Sequence, residues 1–149
     1  MKVLIKNHQR QIRISLRRLQ RDSLHLLRAF NTQKAELGIL LVNDRGMKKL
    51  NHLHRGIDRT TDVLSFPIFN DIKEIPGDRE TLLGDVVINL HAAERQSALY
   101  NHALSSEVRR LLIHGFLHLL GYDHERSLYQ EKKMRKMEKE LQDALAAMD

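Results

Sequence analysis

Apolar and polar positions along this chain follow two different periods. Between Gln11 and Phe30 the period is helical: Ile12, Leu16, Leu19, Leu26, Leu27 and Phe30 share one face. Arg10, Arg13, Arg17, Arg21 and Arg28 recur on the opposite face, predicting a helix with an arginine stripe toward solvent. Four short apolar runs read instead as strands: Val3 to Ile5, Leu37 to Val42, Asp62 to Phe66, and Leu82 to Leu90. Met47, Leu50 and Leu53 predict a helix from Arg45 to about His54, capped by Asp44. A short helix is expected from His91 to about Tyr100. A longer one, capped by Ser105 or Ser106, should run to Leu120. Ser127 should cap a last helix carrying Leu128, Met134, Met137, Leu141 and Leu145 inward. Residues 70–81 are polar, contain Pro76-Gly77 and read as a loop and the best candidate for a mobile flap. The pattern predicts one α+β domain over residues 1–149, with a small mixed four-stranded sheet and about five helices. The strand order does not follow from these signals.

Candidate chemistry concentrates in the stretch His114-Gly115-Phe116-Leu117-His118-Leu119-Leu120-Gly121-Tyr122-Asp123-His124. Residues i and i+4 lie one turn apart on a helix, so His114 and His118 can aim at one point. Gly121 can end the helix in a left-handed turn and bring His124 back as a third nitrogen. Three neutral imidazoles around one ion form the ligand set of a catalytic zinc site, with a fourth position open. Burial in so apolar a helix favours the neutral, metal-binding form. The metal site is thus expected on a central buried helix and the loop that follows it. The zinc-peptidase pattern H-E-x-x-H has a glutamate after its first histidine, acting as general base. Gly115 stands there instead, so peptide hydrolysis is disfavoured.

Composition narrows the setting. The chain has no cysteine, which removes disulfides and thiolate metal sites. Its apolar runs fall short of the roughly 20 residues a membrane helix needs, and its N-terminus lacks a signal-peptide pattern, so a cytoplasmic protein is expected. The net charge is +6 and uneven: residues 1–30 hold eight Lys/Arg against one Asp. Such a basic segment suits a polyanion such as nucleic acid, with Arg13, Arg17 and Arg21 as candidate RNA contacts.

Three segments occur together in order. They are His54-Arg55-Gly56-Ile57-Asp58-Arg59-Thr60-Thr61-Asp62-Val63-Leu64-Ser65-Phe66-Pro67, then Leu83-Gly84-Asp85-Val86-Val87-Ile88, then the histidine stretch. In this order and spacing the chain resembles the YbeY family of metal-dependent endoribonucleases, most clearly over residues 37–126. The resemblance implies one Zn2+ per chain held by His114, His118 and His124, with His114 and Arg55 in the catalytic cleft and Arg55 on RNA phosphate. It implies single-strand-specific cleavage in ribosomal RNA maturation, notably at the 3′ end of the small-subunit RNA, and a part in ribosome quality control. The partners implied are ribosomal RNA and the small ribosomal subunit, with no membrane and no DNA. Two departures are visible: Thr60 stands where the family often has proline, and Phe116 is bulkier than usual between the first two histidines. Asp85 is a candidate to orient a ligand histidine or the water. Whether water or the RNA 2′-hydroxyl attacks stays open. So do two other readings: a zinc-dependent peptidase-like hydrolase, and a non-catalytic ribosome-associated factor with a structural metal.

Overall fold

Side-chain alternation along the strands gives the sheet two faces with different occupants. The computed structural model describes residues 2–123 and 127–149. Among these residues, four strands form one sheet: β1 (Lys2–Asn7), β2 (Ala35–Val42), β3 (Val63–Pro67) and β4 (Thr81–Asn89), in the order β1-β2-β4-β3. β1 and β4 run parallel to β2, and β3 pairs antiparallel with β4 at the edge, so the sheet is mixed. Five helices accompany it: α1 (Leu16–Ala29), α2 (Asp44–Arg55), α3 (Leu90–Leu99), α4 (Leu104–Leu119) and α5 (Leu128–Ala146).

Leu37, Ile39 and Leu41 of β2 join Val86 and Ile88 of β4 on the first face, against Leu111, Leu112, Phe116 and Leu119 of α4. Helix α4 lies across β3 and β4 and is itself covered by α1, α3 and α5. Leu40, Val42, Leu64, Phe66 and Val87 point the other way and pack on Met47 and Leu50 of α2. The part of this second face beyond α2 is a cleft of about 580 Å3 whose lining includes Leu4, Lys6, Gly38, His54 and Asp85. The α4 face carries the main core, and burial of this kind is the dominant favourable term in folding.

Helix α4 comes unusually close to the sheet at Gly115. A Cβ there would lie 2.6 Å from Val86 Cγ1 and 3.2 Å from both Ser65 Oγ and Val63 Cγ2. Ser65 takes advantage of the approach and donates its hydroxyl to the Gly115 carbonyl at 2.8 Å. Phe116 turns into the core and meets the Phe30 ring at 5.7 Å. Its bulk therefore fills the interior and does not narrow a cleft.

Several boundaries differ from the periodicity. Helix α1 begins at Leu16, capped by Ser15, and not at Gln11. The buried Gln9 amide explains the delay: it accepts from Ile12 N and donates to the Ile12 carbonyl, folding residues 9–12 into a non-helical turn. Asn43, not Asp44, caps α2 by accepting from Gly46 N. Helix α4 starts at Leu104 after Ala103, with no side-chain cap, so neither Ser105 nor Ser106 performs that role. Ser127 does cap α5, accepting from Gln130 N. The loop expected to be a flap is anchored: it contains a 3-10 turn at Ile72–Glu74, and Ile72 and Ile75 pack against the main core.

The loop before β3 is held by a polar knot. Fully buried Asn89 donates its amide to Asp44 Oδ1 (2.8 Å), Thr60 Oγ1 (3.0 Å) and the Thr61 carbonyl (3.1 Å). Its oxygen accepts from His91 N and Ala92 N, capping α3. Thr60, where a proline would have stiffened the turn, fixes it by donating to Asp44 Oδ1. The Arg95 guanidinium completes the knot on both Asp44 oxygens at 2.6 and 2.9 Å.

Two outcomes follow for stability. Asn89→Ala removes a cap and strands buried partners, so urea denaturation should show a loss of about 2–4 kcal/mol. The hydrogen bond from Arg95, opposed by burial and helped by Asn89, holds the Asp44 carboxyl well below the ordinary carboxylate range. A carboxyl depressed in the folded state stabilises above its unfolded pKa of about 4 and loses that contribution as pH falls below it. Asp44→Asn should therefore flatten the acid limb of the stability profile below about pH 4, read by thermal melts at stepped pH.

Candidate active site

Three polar residues interrupt the apolar surface of α4 at four-residue steps: Arg110, His114 and His118. They form a line along one side of the helix, partly exposed where its other faces are buried. The histidine rings meet edge to face, with centroids 4.6 Å apart. Their Nε2 atoms stand 3.1 Å from each other. Two nitrogens each about 2.0–2.1 Å from one tetrahedral ion would be about 3.3 Å apart, so this pair fits a shared zinc.

Helix α5 supplies the complement. Glu138 Oε1 lies 2.9 Å from His114 Nδ1. A carboxylate only accepts, so the proton of a neutral His114 resides on Nδ1 and its Nε2 lone pair faces His118. That is the arrangement by which a carboxylate fixes the tautomer and raises the basicity of a metal-binding histidine. Glu138 belongs to no motif in the sequence. Its one signal is a carboxylate at the inward stripe of α5, a turn beyond Met134 and close to Leu141, where Met134 is fully buried.

The end of α4 turns the chain as the glycine predicted. Gly121 has φ +93°. Its N–H donates to the His118 carbonyl at 3.0 Å and Tyr122 N–H to the Leu117 carbonyl at 3.1 Å, a Schellman closure. A Cβ on Gly121 would lie 2.6 Å from the Asn70 carbonyl oxygen, so the loop after β3 seals against this turn. His124, the third ligand candidate, lies outside the described residues. Among the described residues no group of three or more His, Asp or Glu side chains could hold a metal ion.

Gly115 explains the absence of a general base after the first histidine. Its position faces Val86 and Ser65, so a glutamate there would have no room.

The other candidates divide. Arg55 is the last residue of α2, exposed, just ahead of the loop that rounds edge strand β3. Asp85 does not approach the histidines. Neighbouring Val86 faces α4, so alternation sends Asp85 to the opposite face, into the cleft beside Gly38 and His54. The carboxylate that meets His114 in space is Glu138. The arginine stripe is also broken. Arg13 precedes α1, and Arg17 is exposed on its first turn. Arg21, still about a third exposed, is paired with Asp149 at 2.6 Å and Asp22 at 3.2 Å. The same two aspartates bind buried Arg109 at 2.8 and 2.9 Å, tying α1, α4 and the chain's C-terminal turn together.

Comparison with known proteins gives the family and the fold. The family model described as Endoribonuclease YbeY matches residues 4–146. The chain is 39% identical over 137 residues to the Endoribonuclease YbeY of Aquifex aeolicus, covering 92% of this chain and 87% of that one. It is 41% identical over 130 residues to the Leptospira interrogans protein of the same name, covering 79% and 92%. The solution structure of TM1509 from Thermotoga maritima superposes with a TM-score of 0.67, covering 98% of this chain and 90% of that one, at 23% identity, a likeness of fold. From the sheet order to the histidine turn, these features make the chain a member of the YbeY family of metal-dependent endoribonucleases.

Proposed function

We propose that this chain is a zinc-dependent, single-strand-specific endoribonuclease acting in the cytoplasm on ribosomal RNA, at the 3′ end of the small-subunit RNA, and in ribosome quality control. The observation that carries the proposal is the His114–His118 nitrogen pair at 3.1 Å with Glu138 behind it. His114 and His118, with His124 as third ligand, would hold one Zn2+. Bound there, the ion supplies a Lewis acid for a phosphoryl oxygen and lowers the pKa of water to about 7. The absence of cysteine leaves imidazole and carboxylate as the zinc donors this chain can offer. The small ribosomal subunit is the partner consistent with that substrate. No helix among the described residues is long and apolar enough to cross a membrane.

The residues of the chain divide the remaining tasks. Glu138 keeps the proton of His114 on Nδ1 and holds the ring in place. Arg55 matches phosphate oxygens with a planar fork, so it neutralises charge that develops during cleavage. Arg13 and Arg17 lie on a surface suited to the RNA backbone away from the cleft. A peptidase reading is opposed by the packed surroundings of Gly115, which exclude a carboxylate.

His114→Ala should lower zinc content by elemental analysis and RNA cleavage together. Cleavage that persisted in a verified metal-free preparation would overturn the catalytic metal. Glu138→Ala should weaken zinc affinity about 10- to 100-fold, read by chelator competition, while the fold persists. Arg55→Ala should leave zinc content intact and reduce kcat/KM on single-stranded RNA by about 100-fold or more, the scale on which donors to transition-state charge act. Wild-type turnover in that variant would remove Arg55 from the mechanism.

A further inference from the structure

Arg110 is the third member of the polar line on α4, one turn before His114. No motif includes it, and nothing in the chemistry above uses it. Its side chain is 44% exposed, yet it is held firmly. Nε and Nη2 both approach one oxygen of Glu107, at 2.6 and 2.5 Å, while Glu107 is only 1% exposed. Asp62 Oδ2 stands 4.0 Å from Nη2, at the end of the loop that begins beside Arg55. Among the described residues, its ion pairs engage Nη2 and Nε and leave the Nη1 edge of the fork unused.

Burying a carboxylate costs several kcal/mol unless it is paired, and an exposed arginine needs no such partner to remain folded. What the buried pair provides is direction. It fixes a guanidinium on the open side of α4 at about 6 Å of helix rise from His114. That spacing is comparable with the step between successive phosphates on a single strand. We propose that Arg110 is a substrate-positioning residue that binds the RNA phosphate next to the scissile one. The assignment rests on the metal reading of the histidine pair, because the scissile phosphate is located by it. The ligand chemistry is a phosphodiester of an unpaired strand, recognised through charge and not through base identity. Arg55 and Arg110 then grip the backbone from opposite sides of edge strand β3, one from the end of α2 and one from α4.

The test uses the full zinc-loaded chain and a fluorescent single-stranded RNA oligonucleotide. Arg110→Gln alone would leave buried Glu107 with only His102, 3.7 Å away, and would strain α4, so it is compared with the double variant Arg110→Gln/Glu107→Gln, in which two amides can still bond. The double variant should raise KM about tenfold with kcat within twofold and zinc content unchanged. The log–log dependence of KM on salt should become shallower by about 0.7, the loss of one single-strand phosphate contact. Arg110→Lys keeps the charge but loses the fork on Glu107, and should remain within threefold of the parent KM. An unchanged KM and salt slope in the double variant would overturn the proposal. So would a fall in kcat at constant KM, or an Arg110→Lys variant as impaired as the double one, since a purely structural ion pair would behave in those ways. The parent protein separates the two levels. If zinc removal abolishes its cleavage while the Arg110 variants bind RNA normally, only the positioning role fails. If it cleaves without metal, the metal reading fails whatever the variants do.

Discussion

The approach of α4 to the sheet at Gly115 is the constraint from which the site descends. Because a side chain there would strike Val86 and Ser65, α4 settles into β3 and β4 at the distance of bare backbone. Ser65 then bonds the Gly115 carbonyl and fixes the helix's rotation as well as its height. With that rotation set, Phe116 and Leu119 point into the core, and His114 and His118 are turned to the side where α5 passes. Interiors packed to crystal-like density transmit such a restraint with little slack. The histidine pair is therefore as rigid as the core beneath it.

The second determinant is a set of polar contacts that join elements far apart in sequence. Glu138 reaches His114 from α5, and Arg109 joins Asp22 of α1 to Asp149. Asp149 is held below the ordinary carboxylate range by its bonds from Arg109 and then Arg21. Together these contacts set α5 against α4 at both ends of the helix line. The position of Glu138 behind His114 thus depends on packing at the far end of the same pair of helices.

Much of this was legible in the chain. The four strands were visible because each is a short apolar run, and the central helix because Leu111 to Leu120 is apolar on nearly every side. The Gly121 turn was legible since one residue type tolerates φ near +90° with a carbonyl pressed against it. The start of α1 was not. Its helical period extends back to Ile12, but the Gln9 amide captures the backbone of Ile12 first. Asp85 misled for a related reason. Nearness in motif order says nothing about which face of a strand a residue takes, and alternation puts Asp85 behind the sheet. Glu138 and Arg110 were hidden because their meaning lies in neighbours on other turns and other helices. A carboxylate on an inward stripe and an arginine in register with two histidines are weak signals until the helices are docked.

The geometry around Gly115 also bears on how the reaction must be organised. In zinc peptidases the residue after the first histidine delivers the base, so helix and proton acceptor come as one unit. Here the same helical position is spent on contact with the sheet, and a base cannot be restored by a single substitution without lifting α4 from β3. The substrate class must then make a smaller demand on the protein for proton transfer. RNA meets that condition, since it is cleaved at a phosphate whose charge can be met by fixed cations. Electrostatic preorganisation of this sort requires no motion at the moment of reaction. A rigid helix with imidazoles on one side is suited to it, and the close packing that forbids a glutamate is the same packing that supplies the rigidity.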